Sequence, residues 1–257
     1  MNSTAVNRVP HILFLYWVIK IASTTLGETG ADMFSMTFDL GYGTTIFIFV
    51  AATLLFFVIK LSLKKYEPAT YWLTFTATAI AGTAISDFMD RTLGLGYAMG
   101  SLVLVVSLLI VLAFWYRKER SLSVENITTH SAESFYWLAF LIANTLGTAA
   151  GDFLADDLGI GFMSSAAIIS GLLVITALLY FFTRISRILL FWVAFVLTRP
   201  FGATFGDLLT KPVENGGLDL GTIGASILFS IALLLALTRE VKLENARIEI
   251  RRDNNQG

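Results

Sequence analysis

The sequence predicts an all-α, polytopic integral membrane protein built from four tandem helical hairpins. Only 14% of its 257 residues are charged and 56% are hydrophobic, whereas about a quarter of the residues in a soluble domain are charged. Apolar runs such as 44–58 and 98–116 recur along the whole chain, and one short motif occurs four times. These observations exclude a soluble enzyme, a nucleic-acid-binding protein and a disordered chain.

Eight segments are long and apolar enough to cross a membrane, since a transmembrane helix needs roughly 20 mostly apolar residues. We expect these spans at residues 11–33, 43–62, 70–90, 96–116, 134–155, 161–183, 186–209 and 221–238. The first run continues through Thr24, Glu28 and Asp32 without a small-residue cleavage site, which is typical of a span and not of a signal peptide. Residues 1–257 are therefore expected to form a single membrane domain, with 241–257 as a charged cytoplasmic tail.

Basic residues lie almost entirely on one side of these spans. One side carries 14 of the 18 Lys and Arg residues, the other carries only Arg91 and Lys211, and Lys20 and Arg199 fall inside spans. The 14 are Arg8, Lys60, Lys64, Lys65, Arg117, Lys118, Arg120, Arg184, Arg187, Arg239, Lys242, Arg247, Arg251 and Arg252. Because basic loops remain in the cytoplasm, we expect both termini there.

The loops on the opposite side are short and acidic. Asp39, Asp157 and Asp219 each stand directly before a Leu-Gly pair, and Asp commonly caps the N-terminus of a helix from such a position. We expect these residues to cap spans 2, 6 and 8. The alternative interpretation is that these acidic loops concentrate cations at the entrance of a pathway.

A motif that opens with an aromatic residue and a tryptophan recurs four times with constant spacing. A glycine follows each aromatic residue after eleven positions, and an aspartate follows each glycine after five. The copies begin at Tyr16-Trp17, Tyr71-Trp72, Tyr136-Trp137 and Phe191-Trp192. They define repeat units 11–65, 66–120, 131–185 and 186–240, each with two spans. An even number of spans keeps every unit in the same orientation, so a pseudo-fourfold axis along the membrane normal is expected.

On these four units the chain resembles a family of bacterial inner-membrane proteins defined by four tandem copies of a repeat of unknown function. Each copy in that family has two spans and a characteristic tryptophan, and the resemblance covers residues 8–238. The segment 197–207 in the fourth unit is also typical of the family. The resemblance implies an eight-span protein of the bacterial inner membrane, and it supplies no activity.

A polar stripe is expected on the first helix of each unit. The tryptophans are expected in the aromatic belt at the cytoplasmic interface, and each aspartate lies 15 residues later, roughly 22 Å deeper at 1.5 Å per residue. Residues four apart share a helix face, so stepping back by fours from each aspartate traces the stripe. It comprises the acids Glu28, Asp32, Asp87, Asp152 and Asp207, the bases Lys20 and Arg199, and the uncharged Thr24, Thr83, Asn144 and Thr148.

Small residues run beside the polar stripe and indicate close helix packing. Faces with a small residue at every fourth position let helix backbones approach each other. The glycines expected to pack in this way are Gly27, Gly82, Gly147, Gly151, Gly202 and Gly206. Turning them inward brings the polar stripe into the bundle, whereas the second helix of each unit lacks such a stripe and is expected to face lipid.

Five acids against two bases give the stripe an excess of negative charge. Each ionisable group in the membrane costs about 2.5–3.5 kcal/mol, so we interpret the cluster as functional. Carboxylate and hydroxyl oxygens suit hard cations such as Mg²⁺, Ca²⁺ or Mn²⁺, whereas the absence of cysteine excludes thiolate sites. Crowded carboxylates also hold protons, so exchange of a cation for protons is one form of the mechanism.

The stripe therefore predicts a transporter or channel for a small cation, most simply a divalent one. Glu28 and the four repeated aspartates would bind the cation or protons, and the aspartates are the predicted metal ligands. Lys20 and Arg199 would be counter-charges, and Thr24, Thr83, Asn144 and Thr148 would line the pathway. No cofactor is expected beyond a bound divalent cation, and no enzymatic activity.

Two other functions stay open. The aspartates also fit a packing device in a non-transporting membrane subunit or sensor, whose charged tail would dock a partner. Gly151-Asp152 and Gly206-Asp207 are similar to the Gly-Asp turns of intramembrane aspartyl proteases, in which two carboxyls share a proton, although the full Gly-x-Gly-Asp pattern is absent. The expected partners are the lipid bilayer and small cations or protons, and not nucleic acid.

Overall fold

A computed structural model describes residues 8–63, 66–124 and 127–253, with side chains up to residue 249. In this part of the chain the backbone forms eight long α-helices and no β-strand. They are α1 (Phe14–Asp32), α2 (Gly41–Ser62), α3 (Pro68–Asp87), α4 (Tyr97–Glu119), α5 (His130–Asp152), α6 (Phe162–Phe182), α7 (Arg187–Thr210) and α8 (Gly221–Asp253). Lys64 and Lys65, two of the basic residues that predict the orientation, lie outside the described residues, as do the side chains of Arg251 and Arg252.

The first helices of the four repeats form a closed inner ring. Around it, α1 contacts α3, α3 contacts α5, α5 contacts α7, and α7 contacts α1 again. The second helices lie outside, and each packs mainly on the first helix of the following repeat: α2 on α3, α4 on α5, α6 on α7, and α8 back on α1. The two helices of one hairpin therefore splay apart, and each repeat is held by the next.

The inner helices are mostly buried, whereas the outer helices bury few of their residues. Among its 22 residues α2 buries only Thr45 and Lys60, whereas α1 buries nearly all of its second half. Six helices are long and apolar enough to cross a membrane, namely α2, α4, α5, α6, α7 and α8. The other two carry three charged residues (α1) and five threonines (α3). The prediction of an all-α membrane protein is confirmed.

Three of the four inner helices (α3, α5 and α7) begin at capped ends, and in the first three repeats the inner helix continues beyond its aspartate as a π-helical turn. Glu67, Thr129 and Ser186 accept backbone N–H groups at the starts of α3, α5 and α7. The π turns are Met33–Thr37, Phe88–Thr92 and Phe153–Asp157. Such turns are frequent at functional sites because they shift the side chains that follow. We call this end of the molecule the aspartate end.

The predicted aspartate caps at this end are wrong. Leu40 and Gly161 precede α2 and α6 without a side-chain hydrogen bond, and α8 begins two residues after Asp219. Asp39 and Asp219 instead adopt left-handed backbone conformations, with φ of +55° and +56°. Asp tolerates this region better than most residues, so these aspartates end a turn and do not start a helix.

The opposite end, which we call the basic end, is closed by aromatic and ionic contacts. Trp72, Trp137 and Trp192 are buried there against neighbouring rings, and their position at the cytoplasmic interface stays a prediction. Buried Glu133 pairs with Arg8 at 2.8 Å and with Lys60, which fixes the segment before α1 over this end.

Candidate functional site

Side chains at four-residue intervals along the inner helices meet around the ring axis in five layers. Each layer takes one residue from each inner helix, and nearly all of these residues are buried. From the basic end they are the tyrosine layer (Tyr16, Tyr71, Tyr136, Phe191), the cage layer (Lys20, Phe75, Phe140, Phe195), the arginine layer (Thr24, Ala79, Asn144, Arg199), the threonine layer (Glu28, Thr83, Thr148, Ala203) and the aspartate layer (Asp32, Asp87, Asp152, Asp207).

Lys20 lies within a cage of three phenylalanine rings. Its Nζ is 4.0 Å from the ring centroid of Phe195, 5.2 Å from that of Phe75 and 5.6 Å from that of Phe140. Only 1% of the residue is exposed, and in the described part of the chain no carboxylate lies within ion-pair distance of it. The predicted role as a counter-charge does not match this position, because the nearest acid of the stripe, Glu28, lies eight residues, or about 12 Å, further along the helix.

Arg199 crosses the axis and connects the other three inner helices. Its Nη1 donates to the carbonyl of Thr24 at 3.0 Å and lies 3.5 Å from Oε2 of Glu28. Its Nη2 donates to Oγ1 of Thr148 at 2.9 Å and to Oγ1 of Thr83. The two hydroxyls lie 3.1 and 3.2 Å from Oε2 of Glu28 and donate to it. Glu28 and Arg199 thus form a buried ion pair that shares two threonines.

Glycines make room for the arginine layer. Each glycine of the motif packs against the arginine-layer residue of the next repeat: Gly27 on Ala79, Gly82 on Asn144, Gly147 on Arg199 and Gly202 on Thr24. A Cβ placed on Gly147 would lie 2.0 Å from Cγ of Arg199, closer than any real contact. The second glycines, Gly151 and Gly206, are less crowded, and a Cβ there would have its closest neighbours at 3.3 and 3.0 Å.

The four aspartates form two pairs, and a different basic side chain bridges each pair. Nζ of Lys211 lies 2.9 Å from Oδ2 of Asp32 and 3.1 Å from Oδ1 of Asp207. Arg91 lies 3.3 Å from Oδ2 of Asp152 and 3.6 Å from Oδ1 of Asp87. The two basic side chains are 24% and 32% exposed, against 3% or less for the aspartates, so they form the boundary between the aspartate layer and the surroundings.

The two bridging bases differ in how they are held. Tyr97 and Tyr42, from α4 and α2, accept hydrogen bonds from Arg91 at 2.9 and 3.3 Å. Lys211 follows directly on the end of α7. Burial lowers the pKa of Lys211, but the carboxylates of Asp207 and Asp32 raise it further, and the net shift is upward. Lys211 is therefore a protonated ammonium group between its two carboxylates.

The aspartate layer differs from the predicted metal site in its immediate ligands. Among the described residues no three His, Asp or Glu side chains are placed to hold a metal ion, since basic groups lie between the aspartates. Metal binding by the aspartates stays a prediction. Asn144 lies in the arginine layer, where its Nδ2 is buried with no hydrogen-bond partner in the described part of the chain, outside the network of Glu28 and Arg199.

Treating Arg91 and Lys211 only as loop charges misses their contact with the aspartates. The signal that could have found them is spacing, because each follows an aspartate of its own helix by four residues and so continues the polar stripe. Extending the stripe in the other direction gives Phe75, Phe140 and Phe195, the three rings around Lys20. With both bases included, the axis carries five acids and four bases.

A family model matches all four repeats. Its description is Repeat of Unknown Function (DUF347), and it matches residues 15–66, 70–121, 135–186 and 190–244. These four segments correspond to the units that the tryptophan–glycine–aspartate motif defines. Searches of curated proteins and of solved structures returned no match.

Proposed function

Because the chain belongs to this repeat family, whose description names no activity, we propose from its site that it is a membrane transporter for a small cation. In this proposal all eight helices are spans, since α1 and α3 hold the same places in the ring as α5 and α7. The excess of Lys and Arg at the basic end supports cytoplasmic termini in a bacterial inner membrane. The substrate contacts the aspartate layer from the opposite side.

The charge balance of the aspartate layer carries this proposal. Each pair of carboxyl groups shares one base, so a pair with both carboxyls ionised carries one negative charge in excess. Oδ1 of Asp87 is buried with no hydrogen-bond partner in the described residues. A bound cation or a proton balances each excess carboxylate, which supports exchange of the two. One divalent ion, as the sequence predicts, would balance both pairs.

The filled axis supports a carrier in preference to a channel. Between the aspartate layer and the basic end, the side chains of Glu28 and Arg199, then Lys20 with its three rings, then the tyrosines occupy the axis. A cation passing along it requires these side chains to move in turn. Because they move one after another, the bound cation is accessible from only one side of the membrane at a time.

Flux into proteoliposomes tests the proposal. The panel is Mn²⁺, Mg²⁺, Ca²⁺ and monovalent cations, with a pH reporter inside the vesicles. Wild type is compared with the double variant Asp32→Asn and Asp207→Asn, which removes the carboxylates around Lys211. The expected result is saturable flux of at least one cation, lost in the double variant because its binding groups are neutral.

The matched control is Asp39→Asn with Asp219→Asn. It removes the same number of charges at the same end, from two exposed residues, and Asn tolerates their left-handed backbone. Flux should persist in this control. Absence of flux for every cation in wild type, or flux retained by the variant at Asp32 and Asp207, contradicts the proposal.

The ion pairs themselves favour a second candidate function. Every carboxyl of the aspartate layer has a basic group within 3.6 Å, as expected if the cluster holds the helices of a non-transporting subunit or sensor together. That function predicts that Asp→Asn variants lose stability and leave every ion response unchanged. The protease alternative gains no such support, because the carboxyls of each pair are separated by a base, whereas a catalytic dyad shares a proton directly.

A further inference from the structure

Three of the four basic groups on the axis lie where the transported cation would bind along its path. The Lys211 ammonium and the Arg91 guanidinium bridge the aspartate pairs, and the Lys20 amino group lies in the cage layer. All three are basic nitrogen groups on flexible stems. Each occupies a place that a free ammonium ion could fill with the same contacts, N–H groups to carboxylates at the aspartate layer and a positive charge against ring faces at the cage.

The cage layer is the most selective of these places. Aromatic faces attract ammonium ions that have lost their water, and cages of aromatic rings are used to bind alkylated ammonium groups. Divalent metal ions require six or more oxygen ligands or retain their water, and the side chains of the cage layer supply no oxygen. Lys20 stands where the other three repeats carry phenylalanine, so the first repeat alone places an amino group among the rings.

We propose that the transported cation is an alkylammonium ion, which displaces Lys211 between Asp32 and Asp207 and then Lys20 within the cage. This rests on the proposed transport function and narrows its substrate from small cations in general to organic amines. Each step exchanges an amino group of the chain for the ammonium group of the substrate at the same contacts. No covalent bond forms or breaks.

Binding to a vacated cage tests the inference without transport. Lys20→Ala removes three carbons and the amino group, which are the atoms of n-propylammonium, the probe for isothermal titration calorimetry. The expected result is a second saturable binding site in Lys20→Ala that wild type lacks, and its loss when Phe195→Leu is added, because leucine keeps an apolar side chain but removes the closest ring face. Lys118→Ala is the control, since Lys118 also lies over a ring, Phe135, but is exposed. No second site in Lys20→Ala, or equal binding after Phe195→Leu, overturns the inference.

Methylammonium flux in proteoliposomes provides the second measurement. Phe195→Leu should lower it severalfold, whereas Phe201→Leu, on the same helix but stacked on Phe205 away from the cage, should leave it unchanged. Flux of divalent ions without methylammonium flux overturns the inference and leaves the proposed transporter standing. No flux of any cation in wild type overturns both. Thermal unfolding of each variant verifies that the protein is folded. The calorimetric test also compares Lys20→Ala with wild type, so it does not depend on the variant Phe195→Leu alone.

Discussion

Arg199 illustrates how a single residue can break the symmetry of a repeat. Its equivalents are Thr24, Ala79 and Asn144, and its guanidinium reaches residues of the other three inner helices. The chain accommodates it because Gly147 has no side chain at the crossing point. Its partner Glu28 is likewise present in one repeat only. The ion pair is therefore the place where the first and fourth repeats differ most from the others.

Removing Arg199 should destabilise the protein strongly. Arg199→Met leaves Glu28 buried without its cation, and breaking a buried ion pair in this way costs about 3–5 kcal/mol. Adding Glu28→Gln should recover part of the loss, since no uncompensated charge then remains. Thermal unfolding in detergent measures Arg199→Met, the single variant Glu28→Gln and the double variant. Arg187→Met, at the exposed start of the same helix, is the control, and strictly additive losses for Arg199 and Glu28 would contradict the pairing.

Residue periodicity predicted which side chains face the axis, but it did not predict their partners. Counting back by four residues from each aspartate places Glu28, Thr83 and Thr148 in one layer of the ring, and the three side chains do meet there. The same steps could not show that Lys20 meets rings and not acids, since that depends on what the other three helices place at its height. Nor could they show that Arg91 turns toward Asp152 of the next repeat, a contact across two helices.

At the scale of elements, each outer helix stabilises the repeat that follows its own. α8 closes this arrangement by packing on α1, and it continues without a break to Asp253. Near the basic end, Glu240 of α8 accepts hydrogen bonds from Trp72 Nε1 at 2.6 Å and from Tyr66 Oη at 2.5 Å. The tail that the sequence separates at residue 241 is thus an extension of the last helix, fixed to the second repeat.

Trp72→Phe should release this extension. A hydrogen bond to a charged group contributes about 1.5–3 kcal/mol, so its loss is expected to make trypsin cleavage after Arg239, Lys242 and Arg247 about tenfold faster or more. Trp137→Phe is the matched control, because this equivalent tryptophan is buried with no partner for its Nε1 in the described residues. Equal cleavage of the two variants would mean that Trp72 does not hold α8.

Helix positions were predictable because apolar length and helix period set them directly. The pairing of helices was not, because the hairpin sequence gives no sign of whether its two helices pack on each other or on neighbours. Tertiary packing also decided the helix ends. Leu-Gly after an acidic residue suggested caps, but π-helical turns and left-handed residues such as Asp39 form these connections instead.

At the scale of the whole molecule, the four repeats close into a ring through the first and last helices. The turn after α1 meets the start of α8, where Oγ1 of Thr37 lies 2.6 Å from Oγ1 of Thr222. Two cysteines at such positions are close enough for a disulfide. Because the chain has no cysteine of its own, a cross-link introduced there has no competing thiol.

Thr37→Cys with Thr222→Cys should therefore form a disulfide under mild oxidation, detected by mass spectrometry after alkylation. The control pair is Thr37→Cys with Ser164→Cys, since Ser164 lies on α6, which packs on α7. This pair should stay reduced. If both pairs stay reduced, or both oxidise equally, the ring is not closed by α8 as described.

Cation binding to the aspartate layer tests the central claim most directly. Calorimetry with the cations of the flux panel and with methylammonium compares wild type with Lys211→Met, Lys211→Arg, and the double variant Asp32→Asn and Asp207→Asn. A cation that displaces Lys211 should bind more tightly to Lys211→Met, where the tethered competitor is gone, but not to Lys211→Arg, and it should not bind to the double variant. If none of the four proteins binds a cation, or if Lys211→Met binds no better than wild type, the aspartates do not form a site that exchanges its own base for a transported ion.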